Sequence, residues 1–158
     1  MDKITENLWL GNYAAASNMT NLKKEGIKKV LCVMDFPTIT YNEEDNINQK
    51  VISIVDVPSE NIIKYFGESI KFIDGEDKVL VHCMAGASRS ATIVIAYIMW
   101  KEKKPMDDAI KFVQSKRNAV YPNYGFTKQL RMFENLLKEN EYDLNKINFK
   151  DINWKFIW

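Results

Sequence analysis

Three short apolar runs set the framework: Lys29-Val30-Leu31-Cys32-Val33-Met34, Val51-Ile52-Ser53-Ile54-Val55, and Lys78 to Val81. They are rich in β-branched residues, the pattern of strands buried on both faces of a mostly parallel sheet. Ahead of them, a short alternating stretch from Ile4 leads into Trp9-Leu10-Gly11-Asn12 and predicts an edge strand ending in a turn. A helix capped by Ser17 or Asn18 and closed by Gly26 should follow. Tyr41 to Lys50 is polar and acidic and predicts a solvated loop. Ser59 is placed to cap a helix whose stripe Ile62, Ile63, Phe66, Ile70 and Ile73 has helical spacing, and Asp74-Gly75 breaks it.

After the third run, Ala91 to Trp100 is almost wholly apolar, which predicts a central helix buried on all sides. Pro105 near a start, Asp107 and Asp108 in a first turn and Lys116 and Arg117 in a last turn predict a dipole-matched surface helix. Phe126, Leu130, Phe133 and Leu137 mark a final one. Strands alternating with helices indicate the α/β (α+β) class, a central, mostly parallel sheet flanked by helices.

Composition narrows the function. The 158 residues fit one domain, and 46% hydrophobic with 27% charged residues is a globular balance. A net charge of +1 supplies no strong field for a polyanion, so no nucleic-acid partner is expected. The longest apolar run is about half a membrane span, and the first residues lack the layout of a signal peptide. We therefore expect no membrane association and a cytoplasmic location, with the nucleus as a second compartment. Cys32 and Cys83 allow at most one bridge, so both are expected to be reduced thiols. With His82 the single histidine, a zinc cluster of His and Cys ligands cannot be assembled, and no metal site is assigned.

The chemistry concentrates between the third run and the apolar helix, in His82-Cys83-Met84-Ala85-Gly86-Ala87-Ser88-Arg89-Ser90. A loop from a buried strand to a buried helix can turn its backbone N–H groups inward as an anion nest, and the helix N-terminus adds positive potential. Gly86 supplies the backbone freedom such a loop needs. At the start of this loop Cys83 is the candidate nucleophile. Arg89 adds a planar fork that can hold two phosphoryl oxygens at once. The bland alternative, a structural thiol beside a surface arginine, does not account for His-Cys, Gly and Arg-Ser falling together at one strand-to-helix junction.

That segment resembles the signature loop of the dual-specificity branch of the cysteine-based protein phosphatases. Leu8-Trp9-Leu10-Gly11-Asn12 with Ala14-Ala15-Ala16 is similar to the family's opening strand, and Phe72-Ile73 and Ala96-Tyr97-Ile98-Met99 match around the loop. Pro122-Asn123-Tyr124-Gly125-Phe126-Thr127-Lys128-Gln129-Leu130 resembles the start of its last helix, so the likeness runs from about Ile4 to Leu137. It implies the protein tyrosine phosphatase-like fold, with a mixed sheet, and phosphomonoester hydrolysis through a phosphocysteine intermediate. No cofactor is implied, and the partners are phosphorylated protein substrates. Met84, Ala85, Gly86, Ala87, Ser88 and Arg89 would cradle the phosphoryl group. Ser90 would hydrogen-bond the departing sulfur, His82 would orient the loop, and Asn123 either braces the loop or is a turn residue.

The general acid should follow a strand, because sites on parallel sheets lie at the carboxyl ends of the strands. Asp35 and Asp56 both qualify. Asp56 has the family's spacing to Tyr65-Phe66, and the family shows no acid at the position of Asp35, so Asp56 is assigned. The uncharged Met84, Ala85, Ala87 and Ser88 argue against a phosphoinositide substrate. The lack of a phosphotyrosine-clamping segment suggests a shallow pocket, open to phosphoserine and phosphothreonine as well as phosphotyrosine. A different class of reading is a catalytically weak pseudophosphatase that only binds phosphoproteins. A third is arsenate or sulfur transfer on the same loop, with Cys32 as a conceivable redox partner. Residues 1–140 are taken as the catalytic domain and 141–158 as a C-terminal extension or linker, whose apolar residues pack on the domain, meet a partner or mark the edge of a longer protein.

Overall fold

A computed structural model describes residues 1–154. It contains five strands, β1 (Asp2–Thr5), β2 (Leu8–Gly11), β3 (Ile27–Val33), β4 (Asn48–Ile52) and β5 (Lys78–His82). Six α-helices accompany them: α1 (Tyr13–Ser17), α2 (Met19–Glu25), α3 (Phe66–Ile73), α4 (Arg89–Lys101), α5 (Met106–Lys116) and α6 (Tyr124–Glu139). The strands form one sheet in the order β1-β2-β5-β3-β4, antiparallel only between β1 and β2. The fold is thus the mixed, mostly parallel α/β sheet that the sequence predicts.

Side chains alternate across a strand, and here both faces are apolar for that reason. Leu8, Leu10, Leu31, Val33, Val79 and Val81 point to one face and join the main core under α3 to α6. Trp9, Val30 and Leu80 point to the other, where Ala16 of α1 and Leu22 of α2 cover them. Helix α4 lies in the main core, with every residue from Ser90 to Met99 buried, as its uniform hydrophobicity demands. Asn18 caps α2 through its side chain, and Gly26 closes it at φ 75, a left-handed angle that suits glycine.

Three expectations are corrected. The opening segment is a β1–β2 hairpin in which β1 is the edge, while β2 lies inside the sheet against β5. The run at Val51–Val55 was expected to be buried on both faces. The strand there is Asn48–Ile52, which pairs only with β3 at the other edge, and Val51 is exposed. The helix expected from Ser59 begins instead as a 3-10 turn at Ile63–Tyr65 followed by α3. Its first N–H groups, those of Ile62 and Ile63, donate to Oε1 of the fully buried Gln129 at 2.9 and 3.0 Å, so α6 takes the place of a Ser59 cap.

The segment after Asn140 packs on this domain. Leu144, Ile147 and Trp154 are buried, and the Phe149 ring lies 6.0 Å from that of Phe133 and covers Gly67, where a Cβ would come within 2.7 Å of it. Residues 155–158, the end of the apolar tail, lie outside the described residues. Among the described residues no helix is long and apolar enough to cross a membrane.

Candidate active site

Strand β5 delivers His82 and Cys83 to the carboxyl edge of the sheet, and α4 starts six residues later at Arg89. The loop between them is held by its carbonyls. Met84 O accepts from Tyr13 N–H at 3.1 Å, and Ala87 O accepts from Tyr121 N–H at 2.7 Å. Ala85 O and Gly86 O accept from Nη2 and Nε of Arg117 at 3.1 and 2.9 Å. In a planar trans peptide the C=O of one residue and the N–H of the next point in opposite directions. Four carbonyls tied to groups around the loop therefore turn the amides of Ala85, Gly86, Ala87 and Ser88 toward its centre, which makes an anion nest. The Gly86 N–H donates to Cys83 Sγ at 3.3 Å. Gly86 has φ 67, and a Cβ there would lie 2.6 Å from Gly11 O, so both the angle and the space call for glycine.

Cys83 is buried at 2% exposure, and its sulfur lies 3.0 Å from Ser90 Oγ. His82 is fully buried with its ring edge-on to Tyr13. Its Nδ1 contacts the Cys83 carbonyl at 3.2 Å, and since a carbonyl only accepts, Nδ1 carries the hydrogen. Nε2 is buried without a hydrogen-bond partner. Burial pushes the His82 pKa below its usual value, and the bond to the Cys83 carbonyl opposes this in part.

Arg89 enters the loop with its side chain 11% exposed. Nη1 donates to Asp35 Oδ1 at 2.8 Å and to Ile54 O at 3.1 Å, while Nε is a buried donor with no hydrogen-bond partner. Asp56 stands on the exposed segment after β4, and its Oδ1 accepts from Asn123 Nδ2 at 2.9 Å. Asn123 does three further things: its Oδ1 caps α6 by accepting from Phe126 N–H at 2.9 Å, its N–H donates to Ser88 Oγ at 3.0 Å, and its carbonyl accepts from Thr127. It is a helix cap and a loop brace at once. Met84 is exposed at the outer lip, and Cys32 is fully buried in a small cluster with Met34 and Cys83. Burial, and next the nearby Cys83, push the Cys32 thiol up to about 11.

Sequence reasoning brought Cys83 to Ser90, His82, Asp56 and Asn123 to one place, and placed Asp35 beside them. It missed Arg117 and Tyr13. Arg117 was legible only as a cation in the last turn of α5, yet it ties the loop to that helix and forms an ion pair with Asp2 at 3.0 Å.

A strand-to-helix loop of inward amides around a buried cysteine, closed by an arginine, defines the class of the cysteine-based phosphatases. The match is direct: residues 8–136 fit the model of the dual specificity phosphatase catalytic domain, and the chain belongs to that family of protein tyrosine phosphatase-type hydrolases. It is 38% identical over 144 residues to dual specificity protein phosphatase 1B of Arabidopsis thaliana, covering 89% of this chain and 85% of that protein. It is 39% identical over 139 residues to human dual specificity protein phosphatase 22, covering 85% and 73%. Among solved structures, the human tyrosine phosphatase-like serine/threonine/tyrosine-interacting protein superposes with a TM-score of 0.82 at 39% identity, covering 87% of this chain and 97% of that one.

Proposed function

We propose that the protein hydrolyses phosphotyrosine and phosphoserine or phosphothreonine in protein substrates through a phosphocysteine intermediate. The observation that carries this reading is the set of four loop carbonyls held from outside, which aims successive amides at the space beside Cys83 Sγ. The Cys83 thiolate attacks phosphorus, the bond to the leaving oxygen breaks, and Asp56 gives that oxygen its proton. The loop amides and Arg89, whose unpartnered Nε is available to an oxyanion, hold the three equatorial oxygens. In the second step Asp56, now ionised, takes a proton from water, the water oxygen bonds to phosphorus, and the S–P bond breaks. Ser90 Oγ, 3.0 Å from the sulfur, donates to it as it leaves.

Asp56 is assigned over Asp35 because the Asp35 carboxylate is spent on Arg89, whereas Asp56 is exposed and its Oδ1 is steadied by Asn123. His82 supports the loop through the Cys83 carbonyl. A nucleophilic thiol of this kind persists in a reducing compartment, which is consistent with the cytoplasm. One observation favours a second reading, a binding module: the similarity to a protein whose name records interaction with phosphorylatable residues.

The test is p-nitrophenyl phosphate hydrolysis in EDTA between pH 5 and 8, comparing wild type, Cys83→Ser and Asp56→Ala. Turnover in the wild type, none in Cys83→Ser and a loss of roughly two orders of magnitude in Asp56→Ala are expected. A folded wild type that binds phosphate without turnover supports the binding module. Phosphotyrosyl and phosphothreonyl peptides then decide the specificity.

A further inference from the structure

We propose that Gln129 is a positioning residue for the general acid: from inside the core it fixes the segment that carries Asp56 onto α6, and so sets where the Asp56 carboxyl stands. The role deepens the phosphatase reading above and rests on Asp56 as its acid.

Gln129 is fully buried, on the same helix as the buried Phe126, Leu130 and Phe133. Burying a primary amide is unfavourable unless its hydrogen bonds are made, and here the oxygen and both donor hydrogens of the amide have partners. Oε1 accepts from the N–H groups of Ile62 and Ile63 at 2.9 and 3.0 Å, and Nε2 donates to Glu60 O at 2.9 Å and to Gly125 O at 3.2 Å. Only Gly125 belongs to α6. The other three partners lie 66 to 69 positions earlier, on the stretch that leads from Asp56 to α3. An apolar side chain would fill the same place in the core without burying a polar group, so the amide serves the partner segment and not its own helix.

That segment has little else to hold it. No side chain between Ile54 and Ile62 is buried, and no strand or helix lies between Ile52 and Ile63. Packing does not fix such a stretch; its backbone bonds do. Glu60, whose carbonyl Gln129 takes, donates its own N–H to Val57 O at 3.1 Å, which closes a turn immediately after Asp56. Asn123 holds Asp56 Oδ1, Gly125 makes room for Pro58 O, and Gln129 holds Glu60, so one helix engages Asp56, Pro58 and Glu60 in chain order. The bond from Asn123 to Asp56 is exposed to water, whereas those from Ile62 and Ile63 to Gln129 are buried, where a hydrogen bond is electrostatically stronger. A further tie, from Asn61 Nδ2 to Ile152 O, is longer at 3.3 Å. Gln129 is thus the anchor of the segment, and Asn123 orients the carboxyl at its end.

A general acid works only within hydrogen-bond reach of the leaving oxygen, and a displacement of about 1 Å can cost on the order of 10²-fold. Gln129 touches no reacting atom, so its effect on the reaction passes through Asp56.

The experiment is a double-mutant cycle on the full chain between Gln129 and Asp56, read as kcat/KM. Gln129→Met fills the volume and makes none of the four bonds. Turnover of phenyl phosphate should fall roughly 10- to 100-fold, and that of p-nitrophenyl phosphate, whose leaving group needs little protonation, by no more than about threefold. Alkylation of Cys83 by iodoacetamide should keep its rate. Added to Asp56→Ala, Gln129→Met should cost less than about a further twofold, because the group it positions is already gone. Gln129→Asn, which carries the amide one methylene back from the segment, should behave in the same way and serves where the methionine variant does not fold. Gln129→Glu, whose buried carboxyl stays protonated and can both accept from the N–H groups and donate to Glu60 O, should restore most of the loss. Unchanged phenyl phosphate turnover in a folded Gln129 variant overturns the proposal, as do equal losses on the two substrates or a full further loss in the Asp56→Ala background. An Asp56→Ala enzyme that hydrolyses phenyl phosphate as well as wild type refutes the assignment of the acid, and the role of Gln129 falls with it.

Discussion

Arg89 and Asp35 form an ion pair of 2.8 Å at the mouth of the cradle, so the cation offered to an incoming anion is already partly neutralised by the protein itself. An incoming anion competes with Asp35 for the guanidinium. The Asp35 side chain is 36% exposed, and solvent-screened pairs contribute only about 0.2–1 kcal/mol. Asp35→Asn keeps an acceptor at Oδ1 and removes the charge. Its inhibition constant for orthophosphate should fall by about 1.4- to fivefold, the equivalent of that energy. An increase would mean that Asp35 orients Arg89 more than it competes with substrate.

Arg117 touches no reacting atom and acts as a positioning residue through the Ala85 and Gly86 carbonyls. Arg117→Met releases both, and the amides of Gly86 and Ala87 lose their fixed direction. We expect kcat/KM for p-nitrophenyl phosphate to fall roughly 10- to 100-fold, less than the roughly 10²- to 10³-fold that outright removal of an oriented donor costs, because both amides remain. Alkylation of Cys83 by iodoacetamide at pH 6.5 should slow in parallel, a readout that loss of stability alone would not produce. Arg117→Lys, able to reach one carbonyl, should fall in between.

Gly125 lets α6 approach the segment that carries Asp56: a Cβ there would lie 2.0 Å from Pro58 O. Gly125→Ala must push Val57-Pro58, and Asp56 with them, off its bond to Asn123. The cost should appear where the acid matters, so turnover of phenyl phosphate falls by more than that of p-nitrophenyl phosphate, whose leaving group needs little protonation. Cys83 alkylation should not change. Equal losses on both substrates would detach Gly125 from acid positioning.

His82 predicts a pH dependence of stability. Its pKa is depressed in the folded protein, chiefly by burial, so the unfolded chain binds the proton more readily. The stabilisation from a neutral His82 is fully present above the unfolded value of about 6.5 and is lost as pH falls from there toward the folded value. Urea midpoints between pH 5 and 8 should drop on the acid side in wild type, and His82→Asn should flatten that slope. A slope unchanged in the variant would assign it to carboxylates.

The elements most legible in the sequence were those whose signal is local. The strand Lys78–His82, the loop to Arg89 and the uniformly apolar α4 follow one another along the chain, and a nest needs only a strand end, a glycine and a helix start in that order. The Asn18 cap and the Gly26 stop of α2 are local in the same way. The misread elements depend on distant partners. Nothing near Ser59 reveals that Gln129, 67 positions after Ile62, takes the N–H groups of the expected first turn. Whether Val51 is buried depends on whether a helix covers its face of the edge strand β4, and the local sequence does not reveal that it stays exposed.

The buried loop cysteine, the arginine that closes the loop and the sheet class were therefore determined by the sequence itself, because contiguous residues carry them. Only the tertiary structure decided that Asp35 pairs with Arg89, that Arg117 and Tyr13 hold the loop carbonyls, and that Asn123 joins Asp56 to Ser88. A charge or an amide in a sequence does not reveal its partner, since the energy of such a contact depends on a distance and a burial that exist only once the chain has closed on itself.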